Sequence, residues 1–310
     1  MPRVSVIITT IRRPEMVQTA IQSVLRQTYT DFEVLVVIDG PDAETSKALQ
    51  PISDVRVHVI ERAENVGSAE ARNFGVRTSK GEWIAFLDDD DEWFPEKLDL
   101  QVKEAERLGG HEVLIVSQYL EKTNSMQRIW PEKLPSGREA FSEYMYLERG
   151  QLLPSTFFVS ASLANRFPFS KGLVFEDPDW LLRIAADPKL KIGGVAKPLA
   201  VYNNFQLPGR QSRNVPWRAL FQWAMSRREL FTARAFSFFL VKSVVTAARE
   251  SNAPLRERFF ILCAALLLGS FSPKVFFFFF ASAFVSRESK RKIRELVSPR
   301  ARRARVSDVK

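Results

Sequence analysis

Cysteine and histidine are almost missing from this chain of 310 residues. Cys263 has no second cysteine to pair with, so no intramolecular disulfide forms, and His58 and His111 are the only imidazoles, too few soft ligands for an ordinary zinc site. Any metal here must be held by oxygen. His58 alternates within an apolar run and is expected to be packed or at a sheet edge, not a ligand. An unbroken membrane-spanning stretch is missing too. The apolar runs 258–269 and 274–285 are each shorter than the about 20 residues a hydrocarbon core requires, and Gly269, Ser270, Pro273 and Lys274 lie between or within them. Two short helices embedded in one leaflet are therefore expected, ahead of a single span over 259–285 or a soluble helical hairpin, with Phe276 to Phe280, apolar on every helical face, in lipid or in buried packing. The opening MPRVSVIITTIRRPE has too short an apolar core for a signal peptide and no small-residue cleavage pattern, so the protein is expected on the cytoplasmic side of the membrane.

What is present is a globular composition, 45% hydrophobic and 26% charged, long enough for one large α/β domain with an appended module. The net charge of +9 is concentrated at the end: Ser286–Lys310 holds ten Lys/Arg against three Asp/Glu, leaving the remainder nearly neutral. Such a tail suits an anionic membrane surface. No aromatic-interleaved basic platform accompanies it, so nucleic acid is not the expected partner.

VSVIITT (4–10), FEVLVVID (32–39), VRVHVIE (55–61), EWIAFLD (82–88) and HEVLIVSQYL (111–120) read as strands. Helical spacing runs through RPEMVQTAIQSVLRQTY, SAEARNFGVRTS (68–79), PEKLDLQVKEAERL (95–108) and LVFEDPDWLLRIAAD (173–187). Strands alternating with helices imply a mostly parallel sheet covered on both faces, with ligands beyond the carboxyl ends of its strands. Residues 121–170 carry no clear pattern. From Pro216 a long helical pattern follows, broken near Asn252 to Pro254.

Two acidic features lie at such carboxyl ends: Asp39, and the four aspartates of IAFLDDDDEW (84–93). Four adjacent carboxylates repel one another unless a cation offsets them. Hard divalent ions such as Mg²⁺ or Mn²⁺ take oxygen ligands from one or two carboxylates plus substrate phosphates. Alternate residues of a strand point the same way, so Asp88 and Asp90 can share an ion while Asp89 faces solvent. A solvated acidic turn capping the next helix is the equal alternative. Glu176, Asp177 and Asp179 open a helix, where their charge complements the dipole without any catalytic role.

VSVIITT, AIQSVLRQTYTDFEVLVVIDG, ENVGSAEARNFGVRTSKGEWIAFLDDDDEWFPEKL and FEDPDWLLRIA, in that order, resemble the family 2 glycosyltransferases over about residues 4–100 and 155–205. The resemblance implies a GT-A (Rossmann-like) fold, inverting transfer from a nucleotide-diphosphate sugar, and a Mg²⁺ or Mn²⁺ cofactor. It places Thr9, Asp39 and Arg72 at the nucleotide, Asp88 and Asp90 as the D-x-D pair that reaches donor and metal, with Asp91 in support, and Asp177 as catalytic base beside Glu176. Ile38 and Ile11-Arg12 depart from the family's usual residues at the nucleotide pocket. Arg210 and Arg213 are either diphosphate clasps or surface charges; Asn65 and Gly67 make a turn, or Asn65 touches the nucleotide. QSRNVPW (211–217) only loosely echoes the Q-x-x-R-W of processive polymerases, which favours single-sugar addition.

These readings divide the chain into a catalytic domain (1–215), a helical membrane-associating region (216–285) and a basic tail (286–310). The expected acceptor is a hydroxyl of a glycan or lipid-linked molecule in cell-surface polysaccharide synthesis. A Mg²⁺-dependent nucleotidyltransferase is the alternative enzyme, but TTIRRPE lacks the glycine and lysine of a phosphate loop. A non-catalytic, Ca²⁺-binding membrane scaffold is a third reading, and DDDDEWFPEKLD has no glycine at the sixth position that an EF-hand requires.

Overall fold

The computed structural model describes residues 1–124, 126–148, 150–173, 175–204 and 215–285. The chain divides into two compact units, Met1–Arg213 and Asn214–Lys310. Arg210, Arg213, most of the QSRNVPW stretch and the basic tail lie outside the described residues.

In the first unit the strands are β1 (Val4–Thr10), β2 (Phe32–Ile38), β3 (Val57–Glu61), β4 (Trp83–Asp88), β5 (Asp91–Trp93), β6 (Val113–Lys122), β7 (Gln127–Trp130), β8 (Phe158–Ser160) and β9 (Lys191–Asn203). The helices are α1 (Pro14–Leu25), α2 (Ala43–Leu49), α3 (Ser68–Thr78), α4 (Lys97–Leu108), α5 (Phe141–Tyr146), α6 (Ala161–Arg166) and α7 (Glu176–Ala185). The sheet runs β3-β2-β1-β4-β8-β6-β9-β5, with β7 paired to β6. Its first four strands are parallel, as the alternation of strand and helix implies. Beyond β4 the sheet is mixed: β8 runs antiparallel to β4 and β6, β5 antiparallel to β9, and β6 parallel to β9. That half of the sheet draws on residues 121–170, where β7 and β8 are too short for a period to register.

The pleat assigns each residue of β1 and β4 to one face. Val4, Val6 and Ile8, with Ala85 and Leu87, pack under Val17, Ile21 and Val24 of α1 and Leu98 and Val102 of α4. Ile7 and Phe86 take the opposite face. There α3 lies so close that a Cβ on Gly75 would stand 2.6 Å from Ile7, which is why this helix carries a glycine in its interior. Phe86 meets Trp180 of α7 edge-on at 5.9 Å, and Trp180 stacks on Phe169 at 4.8 Å and on Phe157 at 5.6 Å. Its indole N–H donates to the Phe167 carbonyl at 2.6 Å, so α7 is anchored firmly behind its acidic first turn.

The second unit contains α8 (Trp217–Ser226), α9 (Ala233–Phe239), α10 (Val245–Glu250), α11 (Leu255–Leu267) and α12 (Pro273–Phe284). The long helical pattern breaks earlier than the sequence suggests: a 3-10 turn at Arg228–Leu230 ends α8, and Thr232 caps α9 by accepting from the Ala235 N–H. A π turn at Leu240–Val244 joins α9 to α10. Among the described residues, no helix is long and apolar enough to cross a membrane.

Candidate active site

Thr9 of β1 lies opposite Asp88 of β4, so both strands deliver side chains to the same end of the sheet. Because Asp88 continues the series of Ile84 and Phe86, it emerges on the face of α3 and α7, and Asp89 turns to the face of α1. The Asp88 carboxylate accepts from Arg72 of α3 at 2.7 Å. Asp89 accepts from the Thr10 hydroxyl at 2.7 Å and from Arg13 at 2.9 Å. It is buried rather than solvent-facing, which corrects the expectation from alternation alone. Burial pushes its carboxyl up to about 6, against the pull of Arg13 and Thr10.

Alternation stops after Asp89. Asp90 sits in the turn to β5 and approaches Arg13 at 3.6 Å, so Asp88 and Asp90 lean on different guanidinium groups. Asp91 opens β5, and its carboxylate accepts from the Ser155 hydroxyl at 2.6 Å. Ser155 in turn accepts the Asp88 backbone N–H at 3.1 Å, and its carbonyl takes the Trp93 indole N–H at 2.8 Å. One serine thereby fixes both ends of the acidic turn. Sequence reasoning missed it, because Ser155 sits in the patternless 121–170 stretch.

Arg72 is the hub. It is 7% exposed, and its guanidinium reaches Asp88 at 2.7 Å, Glu176 at 2.7 Å and Asp177 at 3.3 Å. Ser68, one α3 turn earlier, donates to the same Glu176 oxygen at 2.6 Å. Burial alone would lower the Arg72 pKa, but Asp88, Asp177 and Glu176 outweigh it and raise the value. Asp177 responds in the opposite sense: burial pushes its carboxyl up to about 7, Arg72 opposing and Asp88 and Glu176 adding to the rise. It keeps 31% of its side-chain surface open, so a substrate can reach it. A carboxylate poised near neutrality is suited to accept a proton.

Asp39 follows β2 and accepts the backbone N–H groups of Val66 and Gly67 at 3.1 and 2.9 Å. Gly67 has φ +91°, a left-handed conformation that lets the β3–α3 loop present both donors. Asp39 thus shapes the loop that starts α3 and places Arg72. Thr9 is half-buried at the end of β1.

The acidic turn offers only oxygen donors, with Asp88 28% and Asp90 14% exposed in their side chains. That chemistry fits Mg²⁺ or Mn²⁺, which need one or two carboxylates and complete their shell with phosphate oxygens and water. Among the described residues, no group of three His, Cys, Asp or Glu could hold an ion unaided, so substrate oxygens would have to complete the shell.

The glycosyl transferase family 2 model matches residues 5–171, just over half of the chain. The chain belongs to this family. Glu176 and Asp177 lie just beyond the matched segment. The amylovoran biosynthesis glycosyltransferase AmsB of Erwinia amylovora is 25% identical over 273 residues, which cover 83% of this chain and 90% of that protein. Among solved structures, S. aureus TarS 1–349 in complex with UDP-GlcNAc superposes with a TM-score of 0.56 at 18% identity, covering 93% of this chain and 77% of that one. The mannosyltransferase PcManGT from Pyrobaculum calidifontis, in complex with GDP-Man and Mn²⁺, gives a TM-score of 0.53 at 19% identity over 96% and 79% of the two chains. At these identities the likeness establishes the fold, GT-A. The transferase has a curled sheet, parallel in one half and mixed in the other, with helices on both faces.

Removing one partner of a buried ion cluster leaves the others uncompensated, at a cost of about 3–5 kcal/mol. Arg72→Met in this glycosyltransferase is therefore expected to lose about that much stability in urea unfolding at pH 7. A loss under about 1 kcal/mol, the scale of an exposed pair, would show that Arg72 is not the clamp described.

Proposed function

We propose that this family 2 glycosyltransferase moves one sugar, with inversion, from a nucleotide-diphosphate sugar to a hydroxyl of a lipid-linked or glycan acceptor in cell-surface polysaccharide synthesis. The observation that carries the reading is the Arg72 bridge, which holds Asp88 of the acidic turn and Asp177 of α7 around one guanidinium. Two carboxylate groups with separate tasks, one at the donor and one at the acceptor, match a single displacement. Asp177 removes the proton of the acceptor hydroxyl as it attacks the anomeric carbon, and Glu176, fixed by Ser68 and Arg72, lies beside the acceptor. Thr9, Asp39 and Arg72 line the donor end. Each Asp39 oxygen already accepts one backbone N–H and retains a lone pair for a ribose or base donor. A Mg²⁺ or Mn²⁺ ion held by Asp88 and Asp90, with Asp91 and Ser155 supporting the turn, would supply Lewis-acid stabilisation of charge on the diphosphate. AmsB, named for amylovoran biosynthesis, supports the polysaccharide context, and PcManGT, bound to GDP-Man and Mn²⁺, supports the donor class and the ion.

The second unit supports a place on the inner membrane surface. Phe259, Phe260, Leu267, Phe271, Phe277, Phe280 and Phe284 are exposed along α11, α12 and the link between them, with Leu267 at 83% and Phe277 at 68%. So many large apolar side chains left exposed on two helices suit a lipid or partner surface. At 13 and 12 residues α11 and α12 are about 20 Å long or less, short of a hydrocarbon core of about 30 Å. Arginines also satisfy carbonyls at the helix ends: Arg228 donates to Leu268, Arg258 to Ala283 and Arg249 to Val285. Such capping is needed where no water can replace it. Both features support insertion into one leaflet; the basic 286–310 segment, outside the described residues, carries the charge to attract anionic head groups.

Asp177→Asn is expected to keep donor binding and lose sugar transfer, since the amide preserves size but takes no proton. The wild-type kcat/KM is expected to rise with pH through about 7, because the base works only when ionised. Unimpaired transfer by the variant, or a profile flat from pH 5 to 8, would sink the assignment. For the membrane, Phe277→Asp combined with Phe280→Asp should remove most of the protein that cosediments with phosphatidylglycerol vesicles. Undiminished cosedimentation would contradict leaflet insertion.

A further inference from the structure

The strand order reverses at β1. The chain runs outward through β1, β2 and β3, then crosses back to lay β4 on the other side of β1, so the loops after β1 and β4 flank a topological switch point. Open α/β sheets take their ligands there. The loop after β1 carries two arginines, and they are used differently. Arg13 is committed to Asp89 and Asp90. Arg12 is exposed; against burial, its charge helps hold the Asp42 carboxyl below its ordinary range, but among the described residues its guanidinium makes no close ion pair. Arg72, the cation behind the β4 turn, is consumed by its own carboxylates.

Arg12 also holds a backbone conformation that a non-glycine residue rarely adopts, φ +55°. It is kept there by a dedicated partner: the Asp42 carboxylate accepts the Arg12 backbone N–H at 2.5 Å while its other oxygen caps α2 through the Thr45 N–H at 3.1 Å. Asp42 is itself fixed, its N–H donating to Glu61 at the end of β3 at 2.9 Å. The carboxyl ends of three strands therefore cooperate to hold one residue in a costly conformation. Strain of this kind persists where the surroundings over-determine it, and it clusters at ligand contacts. Its visible result is an exposed guanidinium in the loop after β1, at the end of the sheet where Arg13 and Arg72 are already paired with carboxylates.

We infer that Arg12 binds the diphosphate of the donor and of the departing nucleoside diphosphate. The planar fork of a guanidinium matches phosphate oxygens in a bidentate manner and remains charged at any working pH. No other cation of the loops after β1 and β4, among the described residues, is free for that anion. The inference rests on the glycosyltransferase reading and adds the residue that grips the leaving group.

The test titrates the full chain, wild type and variants, with UDP and GDP and with uridine and guanosine, in the presence of Mn²⁺, by calorimetry. Arg12→Ala is expected to weaken the nucleoside diphosphate that the wild type binds by about tenfold or more, the scale of a charged hydrogen bond, and to leave the matching nucleoside unchanged. Arg12→Gly separates strain from binding. Relief of the left-handed backbone should leave it at least as stable as wild type, yet it should lose affinity as Arg12→Ala does. Nucleoside diphosphate binding by both variants equal to wild type overturns the inference and leaves the proposed function standing. An equal loss for nucleoside and nucleoside diphosphate also overturns it, because the contact would then be to the base. If the wild type binds no nucleoside diphosphate, the inference falls together with the proposed function.

Discussion

One guanidinium holds the two halves of the site together. Arg72 is buried on α3 between the end of β4 and the first turn of α7, and Asp88, Glu176 and Asp177 close on it from three directions. Without that charge the three carboxylates would repel one another across the gap between the acidic turn and the α7 N-terminus. Much of the fold around it serves to place it. Asp39 and Gly67 shape the loop that starts α3, Gly75 lets α3 lie against Ile7, and the Trp180 stack fixes α7. The same cluster sets the chemistry, because a carboxyl raised toward neutrality by burial and like charge is suited to take a proton.

The acidic turn shows how strand geometry gives identical residues different work. The pleat sends Asp88 to Arg72 on one face and Asp89 to Thr10 and Arg13 on the other, and the turn then returns Asp90 toward Arg13 while Asp91 enters β5. Repulsion among four adjacent charges is relieved by two arginines and two hydroxyls contributed by distant segments. The two arginines offset only part of that charge, and the remaining carboxylates would favour a divalent ion.

The first four strands, with α1 and α3, were legible in the sequence because long runs with periods of 2 and 3.6 leave little choice of element, whereas the seven-residue α2 was not read. Asp39, Asp88, Asp90, Glu176 and Asp177 were singled out through the family resemblance, and the structure gathers Asp88, Glu176 and Asp177 at Arg72, which was named as a nucleotide contact and not as the bridge among carboxylates. That bridge joins residues 104 positions apart, Arg72 and Glu176, and no local pattern encodes such a distance. Ser155 was invisible for a related reason, since it sits in a 3-10 turn flanked by a three-residue strand that carries no period. The burial of Asp89 was misjudged because alternation gives a direction, not what lies there: Arg13 and Thr10 come from β1 and the loop after it. Short β8 and the β6–β9 register required tertiary pairing, so the mixed half of the sheet could not be read in advance.

The proposed chemistry divides the labour: one carboxylate group at the donor diphosphate, another for the acceptor proton, and no covalent sugar on the enzyme. The most direct test is the anomeric configuration of the product, determined by NMR from a nucleotide sugar of known configuration. Inversion is expected, a β-linked product from an α-linked donor. Retained configuration would contradict it.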